Sequence, residues 1–297
     1  MHLHEWDERY YALVAGNLGG RPLRPTLYER PVLEYDFGLW RSNHIWLHKP
    51  PLTLWRMALS IRLFGNNDIA VRLPSVLLST AAVAFTYTIG RALFTCKVGL
   101  NAAWRHATNS FLASLEAGRL SRDHVDTLFA VLIEAGMPMA ILQAASPRGW
   151  RAIVAGVLTG LAVLTKYFIG LSVLVLFAAA LWAIRIDGKR NAAQVIAGFV
   201  VSSLVVLPWE LYIQSWYPQE ATRERQYDWR HLVEVMEGHR GGMLYRFGRM
   251  ARLFGAVVFI PIGFFLASLV KERSRVGVPL AVWLVVPYML FSIVPTR

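Results

Sequence analysis

The chain has 297 residues, 55% of them hydrophobic and 17% charged, and carries a formal net charge of +12. Its apolar residues fall in long, near-continuous runs that a soluble core cannot absorb, whereas a bilayer needs about 20 apolar residues per crossing; an ordinary soluble domain is excluded. The excess of 31 Lys and Arg over 19 Asp and Glu fits cytoplasmic anchoring and binding of anionic lipid or phosphate. It does not point to nucleic acid, because the sequence has no zinc-finger spacing, RNP-like stretch or recognition helix.

In chain order, Asp7–Leu18 is predicted as an amphipathic helix, with Tyr10, Leu13, Val14, Asn17 and Leu18 opposite Glu8, Arg9 and Ala12. A loop rich in Pro, Arg and aromatics follows, ending in His48-Lys49-Pro50-Pro51. Pro51–Phe64 is a second amphipathic helix, too short to span and read as interfacial. Residues 1–70 thus form a first outer segment. Residues 71–297 form a transmembrane bundle with an outer loop at 215–250. The spans read at about 71–94, 99–118, 124–144, 151–165, 168–184, 192–214, 251–270 and 277–295. The fold class is an all-α polytopic membrane protein with about eight spans. Cys96, the one cysteine, excludes an internal disulfide framework and a multi-cysteine metal site.

Basic residues mark alternate short turns: Lys97; Arg148 and Arg151; Arg185, Lys189 and Arg190; Lys271, Arg273 and Arg275. The positive-inside rule makes that side cytoplasmic. The outer side then receives residues 1–70, the turn near Arg119 and Asp123, Lys166, and the loop 215–250. No apolar segment precedes residues 1–70 to carry them across, and the last span stops abruptly. A preceding span and further C-terminal segments are expected in the whole protein.

The polar groups that suggest chemistry gather on this outer side. Asp7 and Glu8 open the first helix, and Asp123 and Asp126 lie three apart on one helix face. Carboxylates at a membrane rim beside cations can act as bases or orient a substrate; the competing reading is a helix cap or solvated charge. Lys49 precedes two prolines that stiffen the backbone, which suits either a fixed phosphate contact or a snorkelling interface lysine. The loop 215–250 offers Arg225 and Arg230, and a histidine, His239, set among glycines that permit a tight turn. With His48 or a carboxylate, His239 could bind a metal, although HExxH and CxxC spacings are missing.

The order of motifs resembles a known family. Asp7-Glu8-Arg9-Tyr10-Tyr11 is similar to its D-E-x-x-Y start, and His48-Lys49-Pro50-Pro51-Leu52 to its K-P-P-L motif. Leu63-Phe64-Gly65 with Val71-Arg72-Leu73-Pro74-Ser75 is similar to its L-F-G and R-L-P-S stretches. Arg122-Asp123, the run from Gly160 to Lys166, Pro208-Trp209 and Glu237-Gly238-His239 follow in register. The chain resembles the GT-C membrane glycosyltransferases of the protein-mannosyltransferase-like group, which includes the lipid A aminoarabinose transferases.

The resemblance implies a glycosyltransferase that moves a hexose or pentose from a polyprenyl-phosphate donor to a lipid, glycan or protein acceptor, with inversion. It implies a bacterial inner membrane location and a site facing the periplasm or exterior. By the same resemblance, Asp7 is the base toward the acceptor hydroxyl, Lys49 contacts the donor phosphate, and Asp123 is a second acidic residue near the acceptor. It links His239 to a divalent metal (zinc, magnesium or manganese). His48 stands where relatives carry a carboxylate or amide, so a carboxylate-plus-histidine site is in doubt, while two histidines could still hold zinc. Arg225 and Arg230 are further candidates to neutralise the departing phosphate. A membrane transporter and an inactive, truncated member of the family are the competing readings.

Overall fold

The computed structural model describes residues 3, 7–32, 34–37, 39–116, 124–184, 187–235, 244–272, 275 and 277–293, and those residues are helical with connecting loops. Helices α1 (Asp7–Leu18) and α2 (Pro51–Phe64) have the bounds the sequence predicts. Pro51 sits at the first helical position of α2, where its missing N–H costs nothing, and Gly65 ends the helix at φ +84°. The two helices pack together through Tyr11, Val14, Leu54 and Met57, with Leu27 and Trp46 of the intervening loop completing the core.

The buried face of α1 differs from the predicted one. Glu8 and Ala12 are buried and Leu13 is exposed, because α1 docks on protein instead of lying in the interface. The loop between α1 and α2 is pinned as well. Leu27 N–H donates to His44 O (2.8 Å) and Trp46 N–H to Pro25 O (2.7 Å). The Asn17 amide bonds Thr26 O (2.8 Å) and the Trp55 indole bonds Pro22 O (2.7 Å).

The bundle follows with α3 (Asp68–Leu93), α4 (Cys96–Ala107), α5 (Ser110–Glu116) and α6 (His124–Ala145). Then come α7 (Gly149–Lys166), α8 (Ser172–Ile184), α9 (Gly188–Trp216), α10 (Pro218–Val233), α11 (Tyr245–Phe254), α12 (Phe259–Glu272) and α13 (Val278–Ile293). Side chains cap several starts: Asn67 accepts from Ala70 N–H, Thr95 from Val98 N–H and Asp187 from Arg190 N–H, each satisfying a donor the helix leaves orphaned. Helix α6 is central, with 61% of its apolar window buried, while α9 at 17% is peripheral. Ile196, Phe199, Leu204 and Leu211 of α9 are exposed and make a lipid-facing stripe. At its far end, Trp209 packs on Trp55 at 5.3 Å, and Tyr212 lies near Trp216; such aromatic groups sit at a bilayer boundary.

Close approach of helices uses glycine. A Cβ on Gly156 or Gly160 would meet Val201, Val205 and backbone of α9, and one on Gly90 would meet the backbone of Gly99. This is the small-residue packing of membrane helices.

About eight spans are expected from the sequence, and the described helices do not match them one for one. Among the described residues four helical runs are long and apolar enough to cross a membrane, or five if the bent pair formed by α11 and α12 is one span. The expected second span is broken at Thr108-Asn109, where Asn109 Oδ1 caps α5 by accepting from Phe111 and Leu112 N–H. The expected span at 251–270 bends by 109°. The apolar run 149–184 does fold back where the sequence separates the spans 151–165 and 168–184, since Gly170 lies against the backbone of Ala162 and Val163. Arg151, expected as a topogenic charge, is buried and donates to Leu142 O and Ser146 O, neutralising the C-terminal carbonyls of α6.

A Cβ at Gly170 would overlap the backbone of Ala162 and Val163, a clash that no side-chain motion relieves. Gly170→Ala is therefore expected to cost at least about 3 kcal/mol and to lower the yield of monodisperse protein in detergent. Wild-type yield and melting temperature would contradict this packing.

Candidate active site

Lys49 projects from a short segment held at each step. Before it, Leu47 O accepts from the Tyr167 hydroxyl at 2.7 Å. Tyr167 has φ +48°, a strained conformation for a tyrosine of about 1–3 kcal/mol that brings its ring back from the tip between α7 and α8. His48 stacks on Trp40 at 4.6 Å and 7°, and its Nδ1 lies 3.4 Å from Glu224 Oε2. After it, Pro50 and Pro51 lead directly into α2.

Helix α10 closes this site from the other side. Its inward stripe is Glu220, Glu224, Tyr227, Asp228 and His231, at helical spacing. Glu220 Oε1 accepts from the Tyr35 hydroxyl at 3.3 Å, and Tyr227 packs edge-on against both His48 and His231. Burial pushes the Glu224 carboxyl up to about 7, against the opposing pull of Lys49 and His231. Burial and the charge of Glu224 likewise push Asp228 up to about 7, again opposed by Lys49. Lys49 thus stands within electrostatic reach of two carboxyls poised to titrate near neutrality.

The sequence-predicted residues are distributed as follows. Asp7 is half-buried in the first turn of α1. It shares a helix face with Tyr10 and Tyr11, which pack on Trp40 at 4.9 Å and Trp46 at 5.7 Å, the same rings that contact His48. Glu8 faces inward to Arg72, with Nε–Oε1 at 2.7 Å and Nη2–Oε2 at 2.9 Å, and to His124 Nε2 at 3.1 Å. It is a tie between α1, α3 and α6, not an open carboxylate. Asp126 forms an ion pair with Lys166. Arg225 pairs with Glu210 at 2.9 Å and Arg230 with Glu234 at 2.9 Å, both exposed, so these arginines lie off the α10 stripe that faces Lys49.

Asp123 and His239 lie outside the described residues. Among the described residues no three His, Cys, Asp or Glu side chains converge at metal-binding geometry. Asp228 and Tyr167 were not singled out from the sequence, and Glu224 and His231 carried no assigned role there. The spacing of Glu220, Glu224, Asp228 and His231 carried the signal, but reading 215–250 as a loop hid the helix that aligns them.

A second polar centre lies beside α6. A cavity of about 210 Å³ is lined by Asp126, Thr127, Glu134 and His106 among others. The Thr86 hydroxyl lies 2.7 Å from His106 Nδ1 and donates to Glu134 Oε2 at 3.4 Å.

This architecture is shared with a class of solved membrane enzymes. The structure superposes on ArnT from Cupriavidus metallidurans bound to undecaprenyl phosphate with a TM-score of 0.77 and 18% identity, covering 100% of this chain and 52% of that one. The apo form of the same enzyme gives 0.74. The fold is therefore of the GT-C type. The dolichyl-phosphate-mannose-protein mannosyltransferase family profile matches residues 48–212, and the chain belongs to that family. Among curated proteins, the undecaprenyl phosphate-alpha-4-amino-4-deoxy-L-arabinose arabinosyl transferases are similar. The Pseudomonas paraeruginosa protein is 28% identical over 272 residues, and transferase 1 of Pseudomonas fluorescens Pf-5 is 26% identical, each match covering 86% of this chain. The chain spans about half the length (48%) of these relatives.

The two raised carboxyls make stability depend on pH in a definite direction. With ordinary values of 4.5 and 3.8, the folded chain holds these protons more tightly than the unfolded chain. Their contribution is thus fully present below about pH 4, is lost as pH rises toward 7, and is level above that. The wild-type melting temperature should fall between pH 4 and 7 relative to a Glu224→Gln/Asp228→Asn variant. Parallel curves in a pH series would show that these groups titrate normally.

Proposed function

We propose that the protein to which this chain belongs transfers a 4-amino-pentose from an undecaprenyl-phosphate donor to an acceptor oxygen at the outer face of a bacterial inner membrane. The observation that carries this reading is Lys49, braced between Leu47 and Pro50 at the bundle end where Tyr167 and α10 meet the first outer segment. The activity by which the similar transferases are known supports the sugar and its carrier.

In this reading the Lys49 ammonium meets the donor phosphate. The acceptor O–H loses its proton to Asp7 as its oxygen attacks the anomeric carbon. The bond between that carbon and the phosphate oxygen breaks with its electron pair left on the phosphate, where Lys49 stabilises the growing charge. Attack opposite the leaving phosphate inverts the anomeric centre. His48 holds the lysine's backbone by stacking on Trp40. Glu224 and Asp228, being partly protonated near pH 7, leave Lys49 a surplus of positive charge for the phosphate. Asp123 is assigned near the acceptor by the family motif alone.

Two substitutions in the full-length protein test these roles. Asp7→Asn should lower kcat by about 10²–10⁴-fold while undecaprenyl phosphate still co-purifies in native mass spectra; full activity would remove Asp7 from the chemistry. Lys49→Ala should weaken undecaprenyl-phosphate binding by roughly tenfold or more. Unchanged affinity would make Lys49 an interface anchor, and wild-type protein that retains only ordinary phospholipids would overturn the donor assignment.

A further inference from the structure

The cavity of about 210 Å³ beside α6 is not used by the reaction above. Helix α6 lines it with Asp126, Thr127, Ala130 and Glu134, and α3 lines it with Ser79 and Ala82. Helical spacing puts each set on one stripe of its helix, and the small residues leave the gap open. Asp126 lies in the first turn of α6, and Glu134 follows eight residues later, about 12 Å further along the helix. Lys166 neutralises Asp126. The Glu134 side chain, 13% exposed, belongs to a helix long and apolar enough to cross a membrane, where an ionisable group is costly unless it is compensated.

The groups around Glu134 do not compensate it. The Thr86 hydroxyl donates to Oε2 at 3.4 Å, and among the described residues this long bond is the one hydrogen bond the carboxylate receives. His106 Nδ1 is engaged by Thr86 at 2.7 Å and stays 3.9 Å from Glu134 Oε2, outside hydrogen-bonding range. A neutral imidazole that donates from Nδ1 to Thr86, which donates onward to Glu134, fits both distances and leaves the carboxylate ionised. Thr127 is 6% exposed, and its hydroxyl has no hydrogen-bond partner among the described residues, which is unfavourable for a buried donor. The cavity also borders the break at Thr108-Asn109, with His106 lining it on one side of the break and Phe111 and Leu112 on the other. The break brings the last carbonyls of α4, the negative pole of that helix, to the same hollow. Interrupted backbone at membrane depth is tolerated where it lines such a cavity. Asn109 already satisfies the first N–H groups of α5, so that helix has little to offer an anion.

We propose that this cavity binds one monovalent metal cation of the sodium and potassium class, held by the Glu134 carboxylate. Water bridges the ion to the Thr127 hydroxyl, two turns nearer Asp126, a direction in which helical side chains lean. With Asp126 paired to Lys166, one negative charge remains, and one positive charge balances it. A divalent ion takes more oxygen ligands and more acid, and among the described residues no three His, Cys, Asp or Glu side chains converge to supply them. The volume exceeds that of a bare ion and leaves room for several waters at about 30 Å³ each. The bound cation ties α3, the break between α4 and α5, and α6 to one another. The proposal stands apart from the glycosyl-transfer reading, because it concerns residues to which that reading gives no role.

The test is binding of radiolabelled sodium to the full-length protein in non-ionic detergent at mildly alkaline pH. Melting curves accompany it in sodium, potassium or N-methyl-D-glucamine chloride at equal ionic strength. Wild type should bind sodium saturably, and its melting temperature should rise by roughly 3 °C over glucamine once sodium reaches about ten times its dissociation constant. Glu134→Gln should lose both the binding and the shift while still melting cooperatively in glucamine, which separates loss of the ion from loss of the fold. Thr127→Val should weaken binding several-fold, and Thr127→Ser, which keeps the hydroxyl, should restore it. Glu234→Gln removes an exposed acid at the end of α10 and should bind as wild type. Displacement of sodium by potassium would assign the site to both ions, and resistance to displacement would assign it to sodium alone. Full sodium binding by Glu134→Gln overturns the proposal, and so does wild-type protein with no saturable sodium binding and no shift in potassium.

Discussion

A buried carboxylate joins the N-terminal segment that carries α1 and α2 to the bundle. Glu8 of α1, 4% exposed, is clasped by both Nε and Nη2 of Arg72 on α3 and by His124 at the start of α6. His124 is bonded in turn to Ser75 at 2.8 Å, and Arg56 of α2 reaches His124 O at 2.8 Å. Four helices meet on one charge. Burying such a pair is costly unless each oxygen is satisfied, and here each is. Once formed, the network admits few alternative dockings, since any shift of α1 would strand a desolvated ion. Asp7, the preceding residue, inherits its position from that clasp, and so does the loop that ends at Lys49.

The network also explains where the sequence could and could not be read. Helix bounds were legible because their causes are local: Pro50 and Pro51 start α2, Gly65 ends it, and α1 opens on two carboxylates. The fold class was legible because apolar runs of that length have few other uses. The inward turn of Glu8 was not legible, as its partners lie 64 and 116 residues away and nothing near Glu8 announces them. Breaks inside apolar stretches were not legible for a related reason: hydropathy registers apolar length, but not the Asn109 cap that interrupts the expected second span or the 109° bend in the expected span at 251–270. In the outer loop the arginines drew attention because charge is conspicuous. The acidic face of α10 became visible only once the segment was known to be a helix.

Electrostatics at Lys49 is a balance, not a simple attraction. A lysine alone at a membrane rim would snorkel into water; two fully ionised carboxylates beside it would cancel its charge before any phosphate arrived. Burial of Glu224 and partial burial of Asp228 resolve the conflict by holding both carboxyls near 7. Raised in this way, the two carboxyls oppose the charge of Lys49 less than ionised ones would. His48 takes part in the same arrangement, since its Nδ1 faces Glu224 and its ring is fixed by Trp40. A carboxylate at position 48 would add a third acid to this group and neutralise Lys49 further.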